Sequence, residues 1–217
     1  MTRTIRTLRT TAGSMLTEIG AAVGTFVGVA WLAANVAALG THGSRAASAE
    51  PAVPDAVVWL CVLGVASLGT VWLERDGYRR LSADPTGGSD FAWLSVFYLP
   101  ITFFPTGYAL AQLGGSSEAV ASAYLIACTA LGGWLAFYGG LDRLGVRTQH
   151  FARACFVVFA TVLVVAMVNI LFSASGVLDG SIGALISNAW VLATLALLGQ
   201  GAALLAGFGR AVRESIT

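Results

Sequence analysis

Residue types that commonly carry catalysis or hold metals are few and scattered in this 217-residue chain. The two histidines, His42 and His150, fall in two different connecting segments. The three cysteines, Cys61, Cys128 and Cys155, lie in three separate apolar stretches, and an odd, scattered set favours neither a disulfide framework nor a metal site. We therefore predict no catalytic residue, no metal site and no cofactor. Enzyme activity stays open, but the sequence favours a non-catalytic protein.

Polar side chains inside the apolar stretches form the one set that could bind a solute. Asn35, Asn169 and Asn188 lie near one end of their stretches, within roughly 6 Å of one membrane boundary at about 1.5 Å per helical residue. The alternative is that each amide makes a hydrogen bond between helices, worth about 0.6 kcal/mol on average. The predicted solute-binding layer comprises Asn35, Tyr98, Thr102, Tyr108, Gln112, Asn169 and Asn188.

Two prolines interrupt the third apolar stretch, which contains the tyrosines and threonine of this layer. Pro100 and Pro105 each lack a backbone N–H and clash with the preceding turn, so we predict a bend of more than about 20° near them. Carbonyl groups freed at membrane depth need side chains, water or a ligand as partners. Because broken helices often line the substrate sites of transporters, the bend favours a transport function.

Composition and apolar run length predict the elements that must position these residues. Hydrophobic residues make up 57% of the chain and charged residues 11%, against about 25% charged in an ordinary soluble domain. A helix needs about 20 apolar residues to cross a bilayer. We predict an all-α, polytopic membrane bundle of six transmembrane helices in a single domain, 1–217. The predicted spans are 17–39, 56–73, 91–112, 120–141, 151–172 and 182–208.

The arginines predict the topology. Ten of the twelve fall in four segments that share one side of the membrane, Arg153 begins the fifth span on that same side, and only Arg45 falls on the other. The positive-inside rule then places the N-terminal segment 1–16 and the C-terminal tail 209–217 in the cytoplasm, with the protein in the cell membrane. A rival interpretation makes the first span a signal peptide cleaved near Ala47-Ser48-Ala49, but its apolar run of about 21 residues exceeds the usual 7–15.

A short pattern, L-G-x7-G-x2-R, recurs three times, beginning at Leu68, Leu131 and Leu198. Each copy closes an even-numbered predicted span, which would suit three two-helix hairpins repeated along the chain. Chance is the alternative, because the chain has 26 glycines.

The complete absence of lysine is typical of a high-GC, prokaryotic genome.

Small residues four apart share a helix face and let helices approach closely in lipid. These residues predict helix packing within the bundle, or an interface with another copy of the chain or with a different protein. No charged residue lies in the middle of a span, which argues against a proton pump or a voltage sensor. The predicted packing positions are Gly20, Gly24, Gly28, Gly132, Gly140, Gly199 and Gly207.

Two functions remain open. One is a small transporter or channel component for a neutral or weakly polar solute. The other is a non-catalytic accessory or assembly subunit that acts through helix packing with a membrane partner. The expected surroundings are the lipid bilayer, and a net charge of +1 gives no indication of nucleic-acid binding.

Overall fold

The computed structural model describes residues 2–45, 53–113, 117–174 and 189–216. Across these residues the chain is helical and contains no strand, which confirms the all-α prediction. The physical reason is that the apolar runs are continuous rather than alternating, so only helices can satisfy their backbone groups internally. The α-helices are α1 Thr2–Arg45, α2 Asp55–Trp72, α3 Tyr78–Leu81, α4 Gly88–Trp93, α5 Leu99–Thr102, α6 Phe104–Leu113, α7 Ser117–Phe137, α8 Gly140–Arg143, α9 Thr148–Ala174 and α10 Ala189–Ile216.

The chain divides into two compact units. Unit 1 comprises Met1–Val96 and Ile126–Gly140, and unit 2 comprises Phe97–Leu125 and Leu141–Thr217. The helix α7 therefore contributes its first residues to unit 2 and the rest to unit 1.

In unit 1, α1 packs against α2 and α4. The chain continues from α2 through a charged π-helical turn, Leu73–Gly77, into the short α3. A 3₁₀ turn, Pro85–Gly87, then starts α4, and Asp84 caps it by accepting a hydrogen bond from the Thr86 N–H at 2.8 Å. These short elements bring the start of α4 close to α1.

In unit 2, α10 packs against α6 and α9, and α5 also contacts α9. The residues that α10 buries are mostly small: Ala193, Ala203 and Gly207. Their spacing of ten and then four residues keeps them on one face of the helix, so the neighbouring helices approach closely there.

Three helices are long and apolar enough to cross a membrane, namely those over Met15–Thr41, Asp55–Leu81 and Glu118–Phe137. The bent pair Pro85–Thr102 and Phe104–Ala111 would make a fourth span. Over the residues that the structure describes, the two remaining apolar segments are shorter, at 10–17 residues: Thr148–Val164 and Ala193–Gly209. The structure thus shows three to four candidate spans rather than a clear six.

The third predicted span is bent. Its two parts meet at Phe103, which leaves the helical conformation with φ −98° and ψ 10°, and their axes differ by 61°. This confirms the bend predicted near Pro100 and Pro105. Pro105 has no N–H to offer the carbonyl of Ile101, so the helical hydrogen-bond ladder is broken at this point.

Candidate functional site

The helix bend of unit 2 is held by side chains from two other helices. The Tyr124 hydroxyl of α7 donates a hydrogen bond to the Pro100 carbonyl oxygen at 2.7 Å. The Gln200 amide Nε2 of α10 donates to the Thr102 carbonyl oxygen at 2.5 Å. Backbone carbonyls exposed at a break must find partners where water is absent. The two side chains supply those partners on either side of Ile101.

Small residues let these two donors reach the bend. A Cβ added to Gly107 would lie 3.0 Å from the Tyr124 ring, so the bare backbone at this position makes room for the ring. A Cβ on Gly207 would lie 2.6 Å from the Ala154 Cβ, so α10 and α9 are as close as their residues allow. Gln200 lies on the buried face of α10 between Ala193 and Ala203 and is therefore directed inward.

Two polar atoms at this bend have no hydrogen-bond partner in the protein. They are the Thr102 hydroxyl Oγ1 and the Gln200 carbonyl Oε1. Thr102 is 0% exposed and Gln200 5% exposed, so neither side chain reaches solvent. A buried polar atom without a partner costs about 1–3 kcal/mol. The bend of unit 2, defined as Pro100–Phe103 with Tyr124 and Gln200, is therefore the candidate functional site.

The structure brings only part of the predicted polar layer to this site. Thr102 lies in it, and Tyr98 lies half-buried in the π-helical turn that precedes it. Tyr108 lies further along α6, half-buried and stacked on Phe104 with ring centroids 6.5 Å apart. Asn35 belongs to unit 1, where its amide Nδ2 donates to the Trp31 carbonyl of its own helix at 2.8 Å.

The remaining members of the predicted layer cannot be located at the site. Asn188 lies outside the described residues. Gln112 and Asn169 fall in α6 and α9, but their side chains are also outside the described part of the structure. The solute-binding role of these residues stays a prediction.

The polar layer predicted from the sequence includes neither of the two donors at the bend, Gln200 and Tyr124. A signal for Gln200 was present: it shares a helix face with Ala193, Ala203 and Gly207, so a long polar side chain interrupts a stripe of small residues. Nothing in the sequence pairs either residue with the carbonyls of Pro100 and Thr102.

Unit 1 has a different polar arrangement near the end of α2. The Tyr78 hydroxyl lies 2.7 Å from the Thr25 hydroxyl and 3.4 Å from Glu74 Oε1, and the Thr25 hydroxyl donates to the Ala21 carbonyl at 3.0 Å. Each group has a partner within the unit, so this chain of bonds fastens α3 to α1. The arrangement is structural.

The charged segment beside it makes local ion pairs. Asp76 accepts from Arg79 Nη2 at 2.7 Å and from Arg80 Nε at 2.8 Å, one helical turn away. Both arginines are largely exposed, so these pairs contribute little to stability. Among the described residues no group of three His, Cys, Asp or Glu side chains is placed to hold a metal ion.

Some of the predicted packing glycines lie at close helix contacts, and others do not. In unit 1, a Cβ on Gly24 would meet the backbone of Gly88, and a Cβ on Gly28 would meet the Phe91 ring. Gly132 is buried. Gly140 lies against its own chain, since an added Cβ would be 2.9 Å from the Trp134 ring. Around Gly20 and Gly199 an added Cβ would meet nothing within 4 Å.

No protein-family model, no curated protein and no solved structure matches this chain. Function must therefore be argued from the site.

Proposed function

We propose that this chain is a multi-pass protein of a prokaryotic cell membrane, with six spans and both termini in the cytoplasm. Its support is the composition, the distribution of arginines and the presence of three to four helices long enough to span a bilayer. The helices α9 Thr148–Ala174 and α10 Ala189–Ile216 are 27 and 28 residues long and supply the other two spans of this proposal.

The topology can be tested by cysteine accessibility in intact cells. Single cysteines introduced at Arg45, Glu118 and Asp179 should react with an impermeant thiol reagent, whereas cysteines at Arg9 and Arg213 should not. A cysteine at Arg79 is the matched control for the cytoplasmic side. Labelling of the position at Arg79, or protection of the one at Asp179, would contradict the six-span proposal.

Within this membrane protein, the proposed function is that of a small transporter or channel component for a neutral or weakly polar solute. The observation that carries it is the 61° bend of unit 2, at which the Pro100 and Thr102 carbonyls accept hydrogen bonds from Tyr124 and Gln200. Interrupted helices at membrane depth are characteristic of substrate sites in transporters. No charged residue lies within 91–112, which fits an uncharged solute.

A flux assay tests this function. Purified full-length protein is reconstituted into phospholipid vesicles, and entry of acetamide and of glycerol is followed by stopped-flow light scattering. We expect faster entry of at least one of the two than into protein-free vesicles, and no acceleration for sodium acetate. Equal rates with and without protein for both uncharged solutes would refute the transport proposal.

The accessory-subunit function is kept as a second candidate because some glycine positions have no neighbour in the structure. Around Gly199 of α10 and Gly20 of α1, an added Cβ would meet nothing within 4 Å. Such positions let a helix of another copy, or of a different membrane protein, approach closely. If they form an interface, Gly199→Leu should lower the mass of the detergent-solubilised particle in light scattering, whereas Gly64→Leu, at another open glycine, should not. If the wild-type protein is already a monomer, the proposed interface between two copies of the chain is refuted.

A further inference from the structure

We propose that the bend of unit 2 binds a small carboxamide, a molecule of a few heavy atoms that carries both an N–H donor and a carbonyl acceptor. This inference rests on the proposed transport function and names the class of its solute. It begins from the two buried atoms without a partner, Thr102 Oγ1 and Gln200 Oε1.

The hydrogen bond between Gln200 and Thr102 determines what each atom can accept or donate. A backbone carbonyl only accepts, so the NH₂ group of Gln200 must face the Thr102 carbonyl, and the Gln200 Oε1 is left as an acceptor. The Thr102 hydroxyl is free to donate or accept. A primary amide carries a matching group for each atom: its N–H can donate to Gln200 Oε1, and its carbonyl can accept from the Thr102 hydroxyl.

The helices that carry the bend and Gln200 offer no counter-ion to an ionic solute. The segments 91–112 and 189–209, which form α5, α6 and most of α10, contain no Asp, Glu, Lys or Arg. A charged group in such a setting costs several kcal/mol unless it is paired, and no counter-ion is within these segments. Amides and alcohols remain, and an amide offers its donor and acceptor on separate atoms that can engage two protein groups.

Close packing limits the size of the solute. Leu99 and Thr102 are fully buried, Ala109 is 3% exposed, and the Tyr124 ring lies against Gly107. A ligand that reaches both atoms must therefore be small, and formamide and acetamide are the primary amides with the fewest heavy atoms.

The proposal is tested by ligand-observed NMR, with acetamide and acetate as probes of the same shape and full-length protein in lipid nanodiscs. Saturation transfer to the acetamide methyl group is expected, and none to acetate. Thr102→Val keeps the side-chain shape and removes a hydroxyl that has no protein partner, so folding should be unaffected. Loss of one hydrogen bond should weaken acetamide binding by about fivefold.

Two further variants control for folding and for non-specific effects. Thr70→Val makes the same change at a buried, partnerless hydroxyl on the unbroken helix α2 of unit 1, and should leave acetamide binding unchanged. Thr102→Ser retains the hydroxyl and should retain binding even if Thr102→Val fails to fold.

The outcomes separate this inference from the transport function. Equal transfer to acetate and acetamide, no transfer to either, or equal loss in Thr70→Val and Thr102→Val would each overturn the carboxamide site. Loss of acetamide binding in both Thr102→Val and a folded Thr102→Ser would also overturn the carboxamide site. Acetamide binding that depends on Thr102, without faster entry into vesicles, would instead refute transport and leave the site standing.

Discussion

Both units combine close helix contacts with hydrogen bonds, but the contacts around α4 in unit 1 differ from those at the bend in unit 2. In unit 1, helices meet backbone to backbone at glycines: a Cβ on Gly88 would collide with the Ala21 carbonyl, and one on Gly24 with the Gly88 carbonyl. In unit 2, a broken helix is held by hydrogen bonds from Tyr124 and Gln200 to its carbonyls. At the glycine contacts of unit 1 the backbones approach each other directly, whereas at the bend of unit 2 two buried polar atoms, Thr102 Oγ1 and Gln200 Oε1, have no protein partner.

The largest expected effect is at the glycine contacts of unit 1. Gly88→Ala should lower the free energy of unfolding by about 3 kcal/mol, because the added methyl group meets the Ala21 backbone and the Thr25 hydroxyl, which cannot both move away. The measurement is reversible unfolding in mixed micelles as the denaturing detergent is increased.

Gly64→Ala is the matched control in the same unit. Nothing lies within 4 Å of a Cβ at Gly64, so this change should stabilise α2 by up to about 1 kcal/mol through helix propensity. If Gly88→Ala and Gly64→Ala change the free energy of unfolding equally, the close contact of α1 with α4 does not contribute to the stability of unit 1.

A smaller loss is expected at the bend of unit 2. Gln200→Leu leaves the buried Thr102 carbonyl without that donor, which costs up to about 3 kcal/mol, and removes the partnerless Gln200 Oε1, which returns about 1 kcal/mol, so the net loss should be about 2 kcal/mol. On the same helix, Thr194→Val removes an exposed hydroxyl that bonds only to the Trp190 carbonyl, and should cost under about 0.5 kcal/mol. The same unfolding titration measures both, and a neutral Gln200→Leu would show that the bend holds without its polar contact.

The smallest effects compare one tyrosine in each unit. Tyr124→Phe removes the donor to the Pro100 carbonyl and should cost about 1 kcal/mol. Tyr78→Phe should cost about 0.6 kcal/mol, because the Thr25 hydroxyl keeps its bond to the Ala21 carbonyl. The unfolding midpoints of the two variants, measured side by side, check the order. A greater loss from Tyr78→Phe would reverse the comparison and make unit 1 the more dependent on polar contacts.

Some features of the fold followed from local sequence alone. Continuous apolar runs can satisfy backbone hydrogen bonds in lipid only as helices, and a proline lacks the N–H that a straight helix needs. The all-α class and the bend near Pro100 and Pro105 were therefore predictable from residue type and order. The structure has three to four candidate spans rather than a clear six, because the length of an apolar run does not by itself determine where a straight helix begins and ends.

The tertiary structure decided which atoms meet at the bend. Gln200 lies 98 positions from Thr102 in the chain, and Tyr124 lies 24 positions from Pro100, so no local pattern pairs them. The shared layer of amides stays a prediction: Asn35 belongs to unit 1, where it bonds to its own helix, and Thr102 belongs to unit 2. Helical spacing determines which residues share a face, but only the packing of one helix on another determines which faces meet, because many pairings bury similar apolar area.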